Sequence, residues 1–137
     1  MILFQNSLIK LDYHPATDIA VAEYPDLHSY LLPEIKHSID LVVDTLRSYD
    51  VKLLILDGTR TVSTVESEQG REIATYLAAG LRTTRLQKLA RMQSSAGLVE
   101  KRAQDNIKHI ELTQAPAFQI QAFTSREEAT AWLLKNA

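Results

Sequence analysis

Four consecutive large aliphatic residues, Leu53-Leu54-Ile55-Leu56, run directly into Asp57-Gly58-Thr59-Arg60. A sheet with one face in water needs alternating polar and apolar side chains, so an unbroken run suits a strand covered on both faces. Strands of that kind belong to layered α/β folds, where ligands and regulatory sites collect beyond the carboxyl ends of the strands. The run therefore predicts a central strand and also the place, from residue 57 onward, where chemistry would sit.

The flanking pattern fits the same architecture. Residues 8–13 and 19–24 alternate loosely around the turn-forming His14-Pro15-Ala16-Thr17-Asp18, which predicts an N-terminal antiparallel hairpin. Ile35, Ile39, Val42 and Leu46 recur at helical spacing behind Pro33, whose missing amide is tolerated in a first turn, and this helix ends near Tyr49-Asp50. After the central strand, Ile73, Leu77 and Leu81 with Ala74 and Ala78 outline a second helix. Ser63 and Glu66 have capping-box spacing at its start, and Glu66 and Glu68 place negative charge in its first turn.

Residues 82–93 have helix-forming composition, but Thr83-Thr84 interrupts the pattern and one helix from Glu66 to Gln93 would be unusually long, so a short strand is expected over residues 86–92. Val99, Ala103, Ile107 and Ile110 form another helical stripe. Phe118, Ile120 and Ala122 alternate as a strand, and Ser125 with Glu128 caps a last helix. The expected fold is α/β: a mixed, mostly parallel sheet of about five strands opened by the hairpin, with about four helices packed on it.

A length of 137 residues with 45% hydrophobic content suits one domain over residues 1–137. The formal net charge of −2 gives no global reason to expect a nucleic acid or an anionic membrane as partner. Zero cysteines exclude disulfides and thiolate metal sites. Met1-Ile2-Leu3-Phe4-Gln5-Asn6 lacks a basic start and soon turns polar, and no apolar run is long enough for a bilayer, so a cytoplasmic protein without a transmembrane segment is expected.

The closing segment Phe123-Thr124-Ser125-Arg126-Glu127-Glu128-Ala129-Thr130-Ala131-Trp132-Leu133, with a capped Glu-Ala followed by Trp-Leu, resembles that of the SpoIIAA-like branch of the STAS/SEC14-like domains, small bacterial proteins of this length and element order. The resemblance implies a non-enzymatic interaction module that binds a protein partner or itself as a homodimer. STAS relatives are switched by phosphorylation of a serine at the start of the helix after the central strand. They carry an Asp-Ser-Ser-Gly-like signature there, where this chain has Val65-Glu66-Ser67-Glu68-Gln69-Gly70, so Ser67 alone is carried over. The SEC14-like side of the resemblance implies an alternative: a carrier for a small apolar or lipid ligand held between the first helix and the sheet. Leu27, Tyr30, Leu31 and Leu32, just before Pro33, would gate such a pocket or cover the sheet edge.

Residues 57–67 hold five hydroxyl side chains beside a helix N-terminus, where a phosphate gains the helix dipole and free amides. As a regulatory loop the candidates are Asp57, Thr59, Arg60, Ser63, Ser67 and Arg71, with Arg60 and Arg71 pairing the phosphate. Asp57, Glu66 and Glu68 would repel it, and hydroxyl residues also serve ordinary capping. Arg82, Arg85, Lys88 and Arg91 lie in a stretch without acids and form a candidate basic patch. The bland counterpart is a solvated face closing a helix, and residues 82–91 carry no aromatic group for base stacking, so no nucleic acid is expected.

Glu34 and His37 have the Glu-x-x-His spacing of carboxylate-bridged metal sites, but the pair occurs once and the other histidines are not in register with it. An exposed polar face is the expectation, with no metal and no cofactor. Nucleophile elbows and phosphate-cradling glycine loops are absent. Asp57 at a strand end is expected to hold its loop by accepting backbone amides, and no enzymatic activity is expected.

Overall fold

The computed structural model describes every residue except 25, 29, 30, 62–64, 95, 96, 115, 116, 136 and 137. Its elements are β1 (Ile2–Gln5), β2 (Lys10–His14), β3 (Ile19–Glu23), α1 (Leu32–Ser48), β4 (Leu53–Asp57), α2 (Ser67–Leu81), β5 (Lys88–Met92), α3 (Gly97–Thr113), β6 (Gln119–Phe123) and α4 (Arg126–Leu134). The strands form one sheet in the order β1-β2-β3-β4-β5-β6. The first three pair antiparallel and the last four parallel.

The α/β layout is the expected one, with one strand more. β1 adds an outer strand to the hairpin, and the turn that returns it is built by Asn6, whose Oδ1 accepts from the amides of Leu8 and Ile9, each at 2.8 Å. That side chain mimics a backbone turn, and it shortens β2 to begin at Lys10. Met1 joins the same edge through its ammonium, 3.0 Å from Asp12 Oδ1.

β4 is buried on both sides: Leu54 and Ile55, neighbours on opposite faces, are each 1% exposed. Leu54 sits between Ala20 and Leu89, and Ile55 between Val21 and Ala90. The face of Leu54 carries Leu11, Ala20, Ala22 and Leu89, packed with Ile35, Ile39, Val42 and Leu46 of α1 and Ile73, Leu77 and Leu81 of α2. The face of Ile55 carries Ile19, Val21, Ala90, Met92 and Phe123, closed by Ala129, Trp132 and Leu133 of α4.

The helix ends follow local chemistry. α1 has Pro33 in its first turn and stops at Tyr49 because Asp50 adopts the left-handed conformation, φ 56°, which a short polar side chain tolerates. The Val51 amide can then turn back to Leu46 O at 3.1 Å and the chain enters β4. α2 is capped one turn later than the Ser63–Glu66 spacing predicted. Glu66 is the N-cap itself, and the box closes with Gln69, whose Oε1 accepts from the Glu66 amide at 3.4 Å. Ser63 lies outside the described residues. The helix ends at Leu81, where the Thr83 and Thr84 hydroxyls donate to the Gly80 and Leu81 carbonyls, each at 2.7 Å. These two threonines stop helix-forming sequence from continuing and free residues 88–92 for β5.

α1 and α2 approach closely at Gly80. A Cβ there would stand 2.8 Å from Val43 Cγ2, a branched core side chain with little room to yield. Gly80→Val is therefore expected to destabilise the fold by about 2–3 kcal/mol through overpacking, despite removing a helical glycine. In a Val43→Ala background the loss should shrink. Urea unfolding of the four proteins measures this coupling, and strictly additive losses would rule the contact out as the cause.

Candidate functional site

The stripe Val99, Ala103, Ile107 and Ile110 lies on α3 as the periodicity requires, yet Ile110 alone of the four is buried and the other three are half-buried. α3 packs against α2, and its apolar side faces a cavity of about 140 Å³ between these helices and the sheet. Leu56, Leu89, Phe118 and Ile120 line it from the sheet side, and Ala74, Leu77, Ala78 and Leu81 from α2. Polar groups enter the lining at Thr61, Ser67, Arg91, Arg102 and Asn106.

The strand alternation that buries β4 decides which polar residues reach this cavity. Arg91 follows Leu89 on the same side of β5 and meets Glu100 in the first turn of α3. The pair is bidentate, with Nη2 2.6 Å from Oε1 and Nη1 3.2 Å from Oε2, and the side chains are 11% and 12% exposed. Glu100 also accepts from the Ser94 amide at 2.9 Å and from Gln104 Nε2 at 3.1 Å. Burial alone would raise the Glu100 carboxyl, but the Arg91 guanidinium, the Ser94 amide and Gln104 outweigh it and hold the group below its ordinary 4.5. Tyr24, just beyond β3, is pushed up to about 12 by burial, against a smaller opposing pull from Arg91, so its phenol is neutral. Arg102 lines the cavity from α3 and donates to Val65 O at 3.3 Å.

Asp57 points the other way. It shares the face of Ile55, accepts from the Thr59 amide at 3.0 Å and the Thr59 hydroxyl at 2.6 Å, and lies 3.3 Å from Arg126 Nη2 at the start of α4. Burial raises its carboxyl, while the Thr59 hydrogen bonds and Arg126 lower it by more, leaving it below its ordinary 3.8. Its geometry is that of a loop anchor that also ties β4 to α4.

The six candidates of the regulatory loop are thus not one cluster. Thr59 belongs to Asp57 on the α4 side; Arg60 is exposed; Ser67 is exposed at the first position of α2 and lines the cavity; and Arg71 Nε donates to Asn106 Oδ1 at 3.3 Å, bridging α2 to α3. Ser63 lies outside the described residues.

The basic patch is corrected, because its members diverge. Arg82 is exposed at the C-cap of α2, and Arg85, 78% exposed, lies 3.3 Å from Asp50 Oδ1. Lys88 is buried on the α4 face, where its Nζ donates to Trp132 O at 2.8 Å and to Lys135 O, and sits 5.1 Å from the Trp132 ring centroid. Arg91 is on the opposite face with Glu100. Lys88 and Arg91, three apart on a strand, cannot share a surface.

The ligand space was expected beneath α1. α1 fills its side of the sheet with Ile35, Ile39, Val42 and Leu46, and the cavity lies under α2 and α3 instead. Leu27 lines that cavity, Leu31 and Leu32 pack against the core, and Tyr30 lies outside the described residues. Glu34 and His37 are exposed on α1, and no group of three or more potential metal ligands occurs among the described residues. No described helix is long and apolar enough to cross a membrane.

Comparisons with protein-family models, curated proteins and solved structures give no match to this chain. The cavity went unread at the sequence level because the α3 stripe looks the same whether it meets a sheet or a void. Arg91 was recoverable, since counting two residues from Leu89 places it on the interior face of a strand buried on both sides.

Asp57 and Glu100 both have lowered carboxyls, so the stability they add is complete above their ordinary values and is lost as pH falls through the lowered ones. Glu100→Gln, which leaves Arg91 without its carboxylate, should cost about 3 kcal/mol at neutral pH. The variant should also lose less stability than the parent as the pH falls below the ordinary 4.5 of the carboxyl. Denaturation at each pH measures both effects; parallel curves would show that the pair does not contribute.

Proposed function

We propose that this chain is a non-enzymatic binding protein that holds a small apolar ligand between its sheet and the α2–α3 pair. The observation that carries the reading is the half-buried apolar stripe of α3 facing a cavity of about 140 Å³. An apolar cavity of similar volume accepts a molecule such as benzene, and this one opens to solvent beside the exposed Ser67, which gives a ligand a way in. Larger side chains at Ala74, Ala78 or Ala103 would fill the space, but alanines stand there. The carrier reading implied by the SEC14-like resemblance therefore has the stronger support, with its site under α2 and α3.

Ala103→Leu is expected to fill the space. It should abolish binding of 1-octanol measured by calorimetry, while raising stability by about 1 kcal/mol or leaving it unchanged. Undiminished binding by a folded variant would place the ligand elsewhere. Native mass spectrometry of the protein from its own host should, in parallel, show an apolar adduct that the variant lacks.

A STAS-type interaction module, binding a protein partner or a second copy and switched in the loop after β4, is a second reading. Its support is the exposure of Ser67 at the first position of α2. Arg71 is engaged by Asn106, and Glu68 lies in the same first turn, so a phosphate there would meet a poorly prepared site. Phosphate mapping of protein from its host is expected to find Ser67 modified under this reading; an unmodified Ser67 in every growth condition would sink it.

A further inference from the structure

The polar lining of the cavity is unbalanced in its hydrogen bonding. Of its two cations, Arg91 is paired outside the lining with Glu100, and its carboxylate, Glu66, serves the capping box of α2. The Thr61 hydroxyl donates to Tyr24 O at 3.4 Å. Donors are left over. Among the described residues Arg102 makes one hydrogen bond, the 3.3 Å contact to Val65 O, and no ion pair, so most of its guanidinium donors have no protein acceptor and are open to water or a ligand. Asn106, whose Oδ1 is taken by Arg71, keeps the donors of its Nδ2.

We infer that the ligand is an amphiphile with a single carboxylate end on Arg102 and a short apolar tail between α2 and α3; this deepens, and rests on, the reading of the cavity as a ligand site. A half-buried guanidinium beside an apolar space gains most from an anion that accepts two of its donors together, as a carboxylate does. The charge balance selects one negative charge. Arg91 and Glu100 cancel, and Arg102 is the cation of the lining without a carboxylate partner among the described residues, while Glu66 nearby opposes a doubly charged phosphate. The volume sets the tail at roughly six to eight carbons.

The test compares octanoate with 1-octanol, which share a chain and differ at the end, by calorimetry at pH 7 on the parent, Arg102→Gln and Arg102→Lys. The parent should bind octanoate about tenfold more tightly than 1-octanol. Arg102→Gln should remove the preference, so that octanoate and the alcohol bind that variant equally, and Arg102→Lys should keep part of it. The parent's octanoate affinity should also fall with added salt while that of 1-octanol does not, a readout that needs no variant. Equal binding of the two probes, or a preference that survives Arg102→Gln, overturns the carboxylate assignment and leaves apolar binding intact. If neither probe binds the parent, the cavity reading itself falls.

Discussion

The burial of β4 on both faces is the constraint from which the other placements follow. Leu54 and Ile55 are removed from water on opposite sides, each stabilising the fold by about 2–3 kcal/mol relative to exposure. A one-residue slip of the strand would exchange its two side-chain sets between layers shaped for different partners. Parallel pairing with β3 and β5 carries the same parity outward, so Leu89 and Arg91 share the face of Leu54, and Ala90 and Lys88 that of Ile55. The exit of β4 inherits it too: Asp57 turns to α4, and Gly58 comes next to the cavity.

The two layers are closed differently. α1 and α2 pack tightly enough that glycine is needed at residue 80. α4 is short, but Lys88 ends it from the sheet by donating to its last carbonyls, where a helix terminus favours a cation. α3 is joined at its start by Glu100 to Arg91, and just past its end Gln114 Nε2 reaches Thr75 O at 3.4 Å. Between those polar attachments its apolar side chains meet α2 and the cavity. The cavity arises where a helix is fixed by polar contacts while its middle is lined by alanine and half-buried aliphatics.

Much of this is legible in the sequence. The hairpin, the four helices and β5 follow from periodicity, proline and the Thr83-Thr84 stop. β1 was missed because four residues at a sheet edge carry too short a pattern, although Asn6-Ser7 is a turn signal after it. Asp57 was legible as a loop anchor, and the structure adds Arg126 as its second partner. The basic segment misled because like charges close in sequence look like one surface; on a strand covered on both sides, Lys88 and Arg91 instead enter two interiors.

The sequence by itself determined the layer architecture and the central strand, because hydrophobic period and backbone stops are local properties that each segment carries alone. Tertiary structure alone decided the site. Whether the α3 stripe meets sheet or void, which carboxylate neutralises Arg91, and that Arg102 is left with donors to spare all depend on distances between segments far apart in the chain. Those distances are set by how whole elements pack, and no single element encodes them.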